Sequence, residues 1–238
     1  MRLRLESRPV GDVLIIQCQG RIIVGQEVNT LHYHIQDSLA RYVDIVLQLE
    51  QVDFIDSSGL GALVRLAQAA RSKGGGLSLA CVPATIRKTL EITHLRSQFE
   101  LHDSVEEAIT AAYLGSRYLR EMGGDGRPRI VCAYDSTDVC TFLRETLCSG
   151  GYNALTTANI KDALVLLKAT KARTLLISSH MRSVHGQPTR QLLDEIDREA
   201  SLIVLDEDFA TQDPGEAVEK LLSSISDGLP KNANAAGD

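Results

Sequence analysis

The sequence predicts two consecutive α/β domains. Apolar patterning switches repeatedly between short extended runs and helical periodicity, and that rhythm is broken once, at Gly123-Gly-Asp-Gly-Arg-Pro128, where helix breakers concentrate. The length of 238 residues agrees, since it suits two cores of roughly 110 residues each better than one. The expected division is a first domain over 1–120, a short linker over 121–128, a second domain over 129–229 and a disordered tail over 230–238.

The first domain starts with Val13-Leu-Ile-Ile-Gln-Cys, an apolar run of strand length. Val28, Leu31, Ile35 and Leu39 fall on one helical stripe, and Ile45-Val-Leu-Gln-Leu then returns to extended character. Strand, helix and strand make a βαβ unit, which implies parallel pairing. Residues 57–73 carry Leu60, Leu63, Val64, Ala67 and Ala70 at helical spacing, stop at Gly74-Gly-Gly and give way to the strand Leu77-Ser-Leu-Ala-Cys-Val. Pro83-Ala-Thr-Ile-Arg-Lys-Thr-Leu opens a short helix, Gln98-Phe-Glu-Leu adds an edge strand, and Val105, Ala108, Ile109 and Ala112 describe a last helix.

The second domain repeats the cycle. Ile130-Val-Cys-Ala is a strand, and Val139, Phe142, Leu143 and Leu147 line a helix. A strand around Leu155, a helix over 160–170, the strand Thr174-Leu-Leu-Ile and a fourth strand, Ser201-Leu-Ile-Val-Leu, follow. Pro214 stands at a helix start, with Val218, Leu221, Leu222 and Ile225 on one face.

Charge and cysteine usage narrow the function. With 31 acidic against 25 basic residues the formal charge is −6, which gives no general attraction to phosphate backbones, so no nucleic-acid partner is expected. No apolar run approaches the roughly 20 residues that span a bilayer, and Met1-Arg-Leu-Arg leads into charge, so neither membrane nor export is expected and the cytoplasm is the predicted compartment. Cys18, Cys81, Cys132, Cys140 and Cys148 show no C-x-x-C spacing and read as buried, reduced thiols rather than metal ligands or a redox pair. His32 and His34, two apart on a helix, diverge and read as surface or rim residues. No metal or cofactor is expected.

The most informative stretch is Val52-Asp-Phe-Ile-Asp-Ser-Ser-Gly-Leu-Gly-Ala-Leu, which puts Asp56, Ser57 and Ser58 where a strand and an acidic turn meet a helix N-terminus. Asp or Ser there can cap unpaired N–H groups, and the positive end of the helix dipole tolerates an anion. On the residues alone, a plain helix cap and a modification site both stand.

The order Asp56-Ser57-Ser58-Gly59-Leu60-Gly61 after a hydrophobic strand resembles the STAS domain of anti-sigma factor antagonists. The similarity runs from about residue 3 to 115 and takes in Gly20-Arg21 after strand two, the strand at 45–49, Gly74-Gly-Gly and Val82-Pro83. The resemblance implies a mixed sheet with helices, partner contacts through Asp56, Ser57, Ser58, Gly59, Leu60 and Gly61, and Ser57 as the phosphorylated serine. It further implies an anti-sigma factor that is a serine kinase of the histidine-kinase-like ATPase type as partner, and a PP2C-type phosphatase that resets the switch. One departure is Ile23, which stands in Gly20-Arg-Ile-Ile-Val-Gly25 where relatives often carry Asp. Gln26 and Glu27 offer polarity one turn later, or form a solvated first helical turn.

The second half resembles a response-regulator receiver in its rhythm, which implies a flavodoxin-like doubly wound parallel sheet, truncated after the fourth strand. A receiver needs two acids after strand one and an acceptor Asp after strand three, so that Mg²⁺ can offset phosphate charge. Here Tyr134 and Asp135 occupy the first pair, and Thr174-Leu-Leu-Ile runs into Ser178-Ser179. The expectation is a degenerate receiver used for docking or dimerisation. An enzyme is the competing class, because open α/β sheets bind ligands beyond strand ends. Its signals are weak: Gly59-Leu-Gly61 has Val64 where a dinucleotide fingerprint needs glycine, and Ser57 has no evident His partner. Asp206, Glu207 and Asp208 could bind a cation, but successive acids at a strand end read rather as a solvated rim. A purely structural scaffold is the third class.

Overall fold

A computed structural model describes residues 2–42, 44–115, 127–181, 183–184, 187–198 and 200–228. The chain divides into two compact units, Met1–Gly115 and Ser116–Asp238. Most of the expected linker, 121–126, and the whole expected tail, 230–238, lie outside the described residues.

In the first unit, β1 (Arg4–Val10) and β2 (Val13–Ile22) form an antiparallel hairpin whose turn uses Gly11 at φ 60°. The chain continues through α1 (Gln26–Ser38), β3 (Asp44–Ile55), α2 (Ser57–Ser72), β4 (Gly76–Ala80), α3 (Ala84–Ile92), β5 (Leu101–His102) and α4 (Val105–Leu114). The strand order is β1-β2-β3-β4-β5, with every pair after the hairpin parallel. The sheet is therefore mixed, because a two-residue turn permits only antiparallel return whereas each later strand is reached through a helix. Leu31 and Ile35 of α1, Leu63, Leu66 and Ala70 of α2, and Leu90 of α3 pack on Ile16, Leu47 and Leu79 of the sheet. By strand alternation Val13, Ile15 and Val46 face the other way, toward α4. The Tyr113 hydroxyl ties that helix to the hairpin, accepting from the Asp12 N–H at 2.8 Å and donating to the Val10 carbonyl at 3.3 Å.

The edge strand at Gln98-Phe-Glu-Leu is displaced. Arg96–Gln98 forms a 3-10 turn, and pairing begins only at Leu101, where the β5 backbone reaches β4. Phe99 is 4% exposed, so its apolar signal came from the core rather than from a strand.

The second unit builds β6 (Arg129–Ala133), α5 (Thr137–Ser149), β7 (Asn153–Thr157), α6 (Ile160–Thr170) and β8 (Thr174–Ser178). A two-residue ladder follows, β9 (Ser183–Val184) with β10 (Gln187–Pro188), then α7 (Thr189–Ile196), β11 (Ser201–Leu205) and α8 (Pro214–Gly228). The order β7-β6-β8-β11, all parallel, is that of the first four strands of a flavodoxin-like sheet. Ile130 and Cys132 pack under Leu143 and Leu147 of α5 and Leu221 and Ile225 of α8. α6 packs against β6, β7 and β8 and also touches α7. The sequence alone did not signal α7 or the β9–β10 ladder.

Candidate functional site

The ends of β2 and β3 position the Asp56-Ser57 segment. Register shifts between Gln17 and Gln19 and between Gly20 and Arg21 let β3 advance further than β2 over the same stretch: Gln17 pairs with Gln48, but Gln19 pairs with Gln51 and Arg21 with Phe54. Extra residues in one strand bend it and break the alternation of faces. Asp53 and Phe54 are consequently both exposed between buried Val52 and Ile55. Two readings of the sequence are corrected here: Gly20-Arg21 lies within β2 rather than after it, and the acidic turn before Asp56 is the last stretch of β3. Gly20 sits at φ 102°, a conformation that glycine adopts without strain.

Asp56 joins two loops. It is the N-cap of α2, with extended backbone, and one carboxylate oxygen accepts from the Gly59 N–H at 2.8 Å. The other accepts from the Val24 N–H, also at 2.8 Å, so the β2–α1 and β3–α2 connections are clamped by one side chain. The Asp56 N–H in turn donates to the Ile22 carbonyl at 3.2 Å. The Val24 N–H holds the Asp56 carboxyl below the usual carboxylate range, helped by the Gly59 and Ser58 N–H groups and the Arg21 charge against partial desolvation.

Gly59 makes close packing possible. A Cβ there would lie 2.3 Å from the Ile22 carbonyl oxygen and 2.9 Å from Ile55 Cγ2, so the first turn of α2 can rest on the ends of β2 and β3 only because the side chain is absent. Ser57, the first helical residue, is exposed, Ser58 and Gly61 are half-buried, and Leu60 is 5% exposed. The six expected partner residues are thus contiguous but not equivalent. Gly59 and Leu60 face inward and support the segment; Ser57 presents it to solvent.

The bulged strands also bring together residues that periodicity did not single out. Val24 is 67% exposed beside Asp56, Phe54 is 48% exposed, and the Arg21 guanidinium lies 5.2 Å from the Phe54 ring centroid. The only available signal was the glycine pair Gly20 and Gly25 around Arg-Ile-Ile-Val, since Gly25 too has positive φ, at 111°. Ile23 is half-buried with its carbonyl accepting from the Val28 N–H at 3.3 Å, while Gln26 is exposed and Glu27 half-buried in the first turn of α1.

Elsewhere, Tyr134 is buried and Asp135 exposed at the C-terminal end of β6. Ser178 is buried at the end of β8, where its hydroxyl oxygen accepts from the His180 N–H at 3.2 Å. Burial pushes the Tyr134 hydroxyl upward. Asp206, Glu207 and Asp208 are exposed. All five cysteines are free; Cys18, Cys132 and Cys140 are buried, but Cys81 is half-buried and Cys148 exposed, which corrects the expectation of five buried thiols. Desolvation raises the Cys18 thiol to about 12. His34 sits at a rim, its Nε2 2.6 Å from Ser7 Oγ.

The STAS domain family model matches residues 4–108, a span that contains the hairpin, the bulged strands and the Asp56-Ser57 segment. The N-terminal unit is a STAS domain. An anti-sigma F factor antagonist of Paenibacillus polymyxa is 26% identical over 120 residues, which are 46% of this chain and 95% of that protein. A Thermotoga neapolitana protein described as an anti-sigma factor antagonist homologue is 32% identical over 68 residues, 29% of this chain and 60% of its own length. Among solved structures, an anti-sigma factor antagonist from Thermotoga maritima aligns at 24% identity and a TM-score of 0.43, covering 45% of this chain and 93% of that one. Anti-sigma factor antagonists are thus homologues of the N-terminal half. Among the described residues no helix is long and apolar enough to cross a membrane.

Proposed function

We propose that this chain is a cytoplasmic partner-switching regulator in which the STAS domain binds an anti-sigma factor while Ser57 is unmodified and lets it go once Ser57 carries phosphate. The partner would be a serine kinase of the histidine-kinase-like ATPase type, and a PP2C-type phosphatase would restore the binding form. The observation that carries the reading is the placement of Ser57: an exposed hydroxyl at the start of α2, on a segment fixed by the Asp56 clamp and neighboured by exposed Val24 and Phe54. Apolar side chains ringed by polar ones suit a protein partner.

The physics of the switch is local. Phosphate adds about −1.5 to −2 charges at pH 7. The N-terminus of α2 tolerates that charge in the free protein, because its first N–H groups and dipole favour an anion. A partner seated over Ser57 would have to desolvate it beside the Asp56 carboxylate, and like charges at a dry contact oppose binding. No refolding is required. The second unit, with Tyr134 and Ser178 where a receiver presents acids, serves contact rather than phosphotransfer.

Wild-type, Ser57→Ala and Ser57→Asp chains used as baits in native lysate test this reading. The first two should capture the same kinase, Ser57→Asp should lose it by about ten-fold or more in affinity, equivalent to at least roughly 1.4 kcal/mol, and phosphate should appear on wild type alone. Equal capture by all three would point to a scaffold, and nucleotide turnover by the purified chain to an enzyme.

A further inference from the structure

Gly61 differs from Gly59 in a way that the packing of α2 does not explain. Glycine inside a helix is destabilising relative to alanine. At Gly59 the core demands it, because a Cβ would collide with the Ile22 backbone. At Gly61 the core makes no such demand: a Cβ there would meet Nη1 of Arg65 at 3.3 Å, the flexible end of a side chain on the same helix. The missing side chain makes room for a guanidinium. Arg65 thus runs back along α2 toward the helix N-terminus, as long helical side chains do. It is exposed, and among the described residues no hydrogen bond or ion pair engages it. Ser57, Gly61 and Arg65 follow one another at intervals of four, so each neighbours the next on the helix surface. With its tip over Gly61, Arg65 stops about one turn, roughly 5.4 Å, from Ser57.

We propose that Arg65 is the receptor, within the same chain, for a phosphate carried by Ser57. A serine phosphate sets its oxygens three bonds beyond Cβ, and with a charge-assisted hydrogen bond of about 2.8 Å this spans the remaining turn. Glycine at position 61 keeps the path clear. Charge favours the contact as well. A phosphate on Ser57 stands next to the Asp56 carboxylate, and a cation one turn along the helix offsets that repulsion. Arg21 is also near this segment, but its guanidinium already lies over Phe54, 5.2 Å from the ring centroid. Guanidinium suits the task because its planar fork can take two phosphate oxygens at once. Held in this way, the phosphate lies back along the exposed start of α2 and fills the space over Gly61. The modification then alters shape as well as charge on the segment from Asp56 to Gly61.

The inference rests on the reading of Ser57 as the modified residue, but its test needs no kinase. Phosphoserine is installed at position 57 of the full chain during synthesis. In ³¹P NMR, Arg65→Gln should raise the second pKa of that phosphate, ordinarily about 6, by about 0.5, since a nearby cation favours the dianion. Arg21→Gln should move it less. The Nε–H signal of Arg65 should shift when Ser57 carries phosphate and return after phosphatase treatment. Gly61→Leu, which closes the path and leaves the charge in place, should reproduce the Arg65→Gln value with unchanged circular dichroism; the Arg65 Nε–H signal decides the matter if that variant perturbs the fold. An unmoved pKa in Arg65→Gln, a larger change in Arg21→Gln, or an Arg65 Nε–H signal blind to phosphate would overturn the inference. A chain that its captured kinase leaves unmodified at Ser57 would instead defeat the earlier reading, with these results still standing.

Discussion

Asp56 and Gly59 set the position of Ser57, and each makes a distinct prediction. Removing the cap in Asp56→Ala should cost about 1 kcal/mol of stability, the usual value for an N-cap carboxylate. The linked pH dependence has a definite sign. Because the folded Asp56 carboxyl is held below its unfolded value of about 3.9, its ionised form contributes stability above that pH and loses it as pH falls through the depressed folded value. The difference in melting temperature between wild type and Asp56→Asn should therefore be full at neutral pH and shrink on acidification below about pH 4. An unchanging difference would mean that the Val24 contact is not electrostatic. Gly59→Ala should be harsher, at about 3 kcal/mol, since its Cβ would meet the backbone oxygen of Ile22, which cannot rotate away. Denaturant unfolding checks both.

At the scale of the element, α2 couples the core to the exposed serine. Leu63 and Leu66 are fully buried, so Leu63→Ala should cost roughly 2–5 kcal/mol in equilibrium unfolding. Ser57→Pro should behave in the opposite way. Position 57 is the first of the helix, where proline fits and its N–H is dispensable, and extended Asp56 suits a following proline. That variant should melt within a few degrees of wild type yet accept no phosphate, which makes it a cleaner null than a variant that disturbs the cap. The same element shows what was legible in the sequence. The stripe of Leu60, Leu63, Ala67 and Ala70 between Asp56 and Gly74 specified α2 because cap, period and stop agreed. The neighbouring β3 runs beyond its apolar stretch because its bulges place two exposed residues in succession, Asp53 and Phe54, where alternation no longer signals a strand. For that reason Val24, Phe54 and Arg21 escaped notice as companions of Ser57: their proximity arises from cross-strand register and the Asp56 clamp, neither of which is local in sequence. In the second unit, α7 is anchored by buried Leu193, but its eight residues give too few turns for a period to stand out in the sequence.

For the whole chain, two separate cores imply separable roles. Residues 2–115 contain their own buried cluster from Leu14 through Phe99, so a chain lacking residues 129–238 should keep Ser57-dependent partner binding, measured by titration. The second unit should take no phosphate from acetyl phosphate, since buried Ser178 stands at the end of β8 and a serine hydroxyl without a base is a poor nucleophile. An acid-labile acyl phosphate in mass spectrometry would contradict that. The central claim is that one exposed hydroxyl on a rigid helix start controls partner binding, and phosphopeptide mapping of the full chain after incubation with its captured kinase and ATP tests it most directly. The account predicts phosphate on Ser57 and none on Ser58, with release of the kinase rising in step with Ser57 occupancy. Phosphate confined to Ser58, or a Ser57-phosphorylated chain that stays bound, would contradict it.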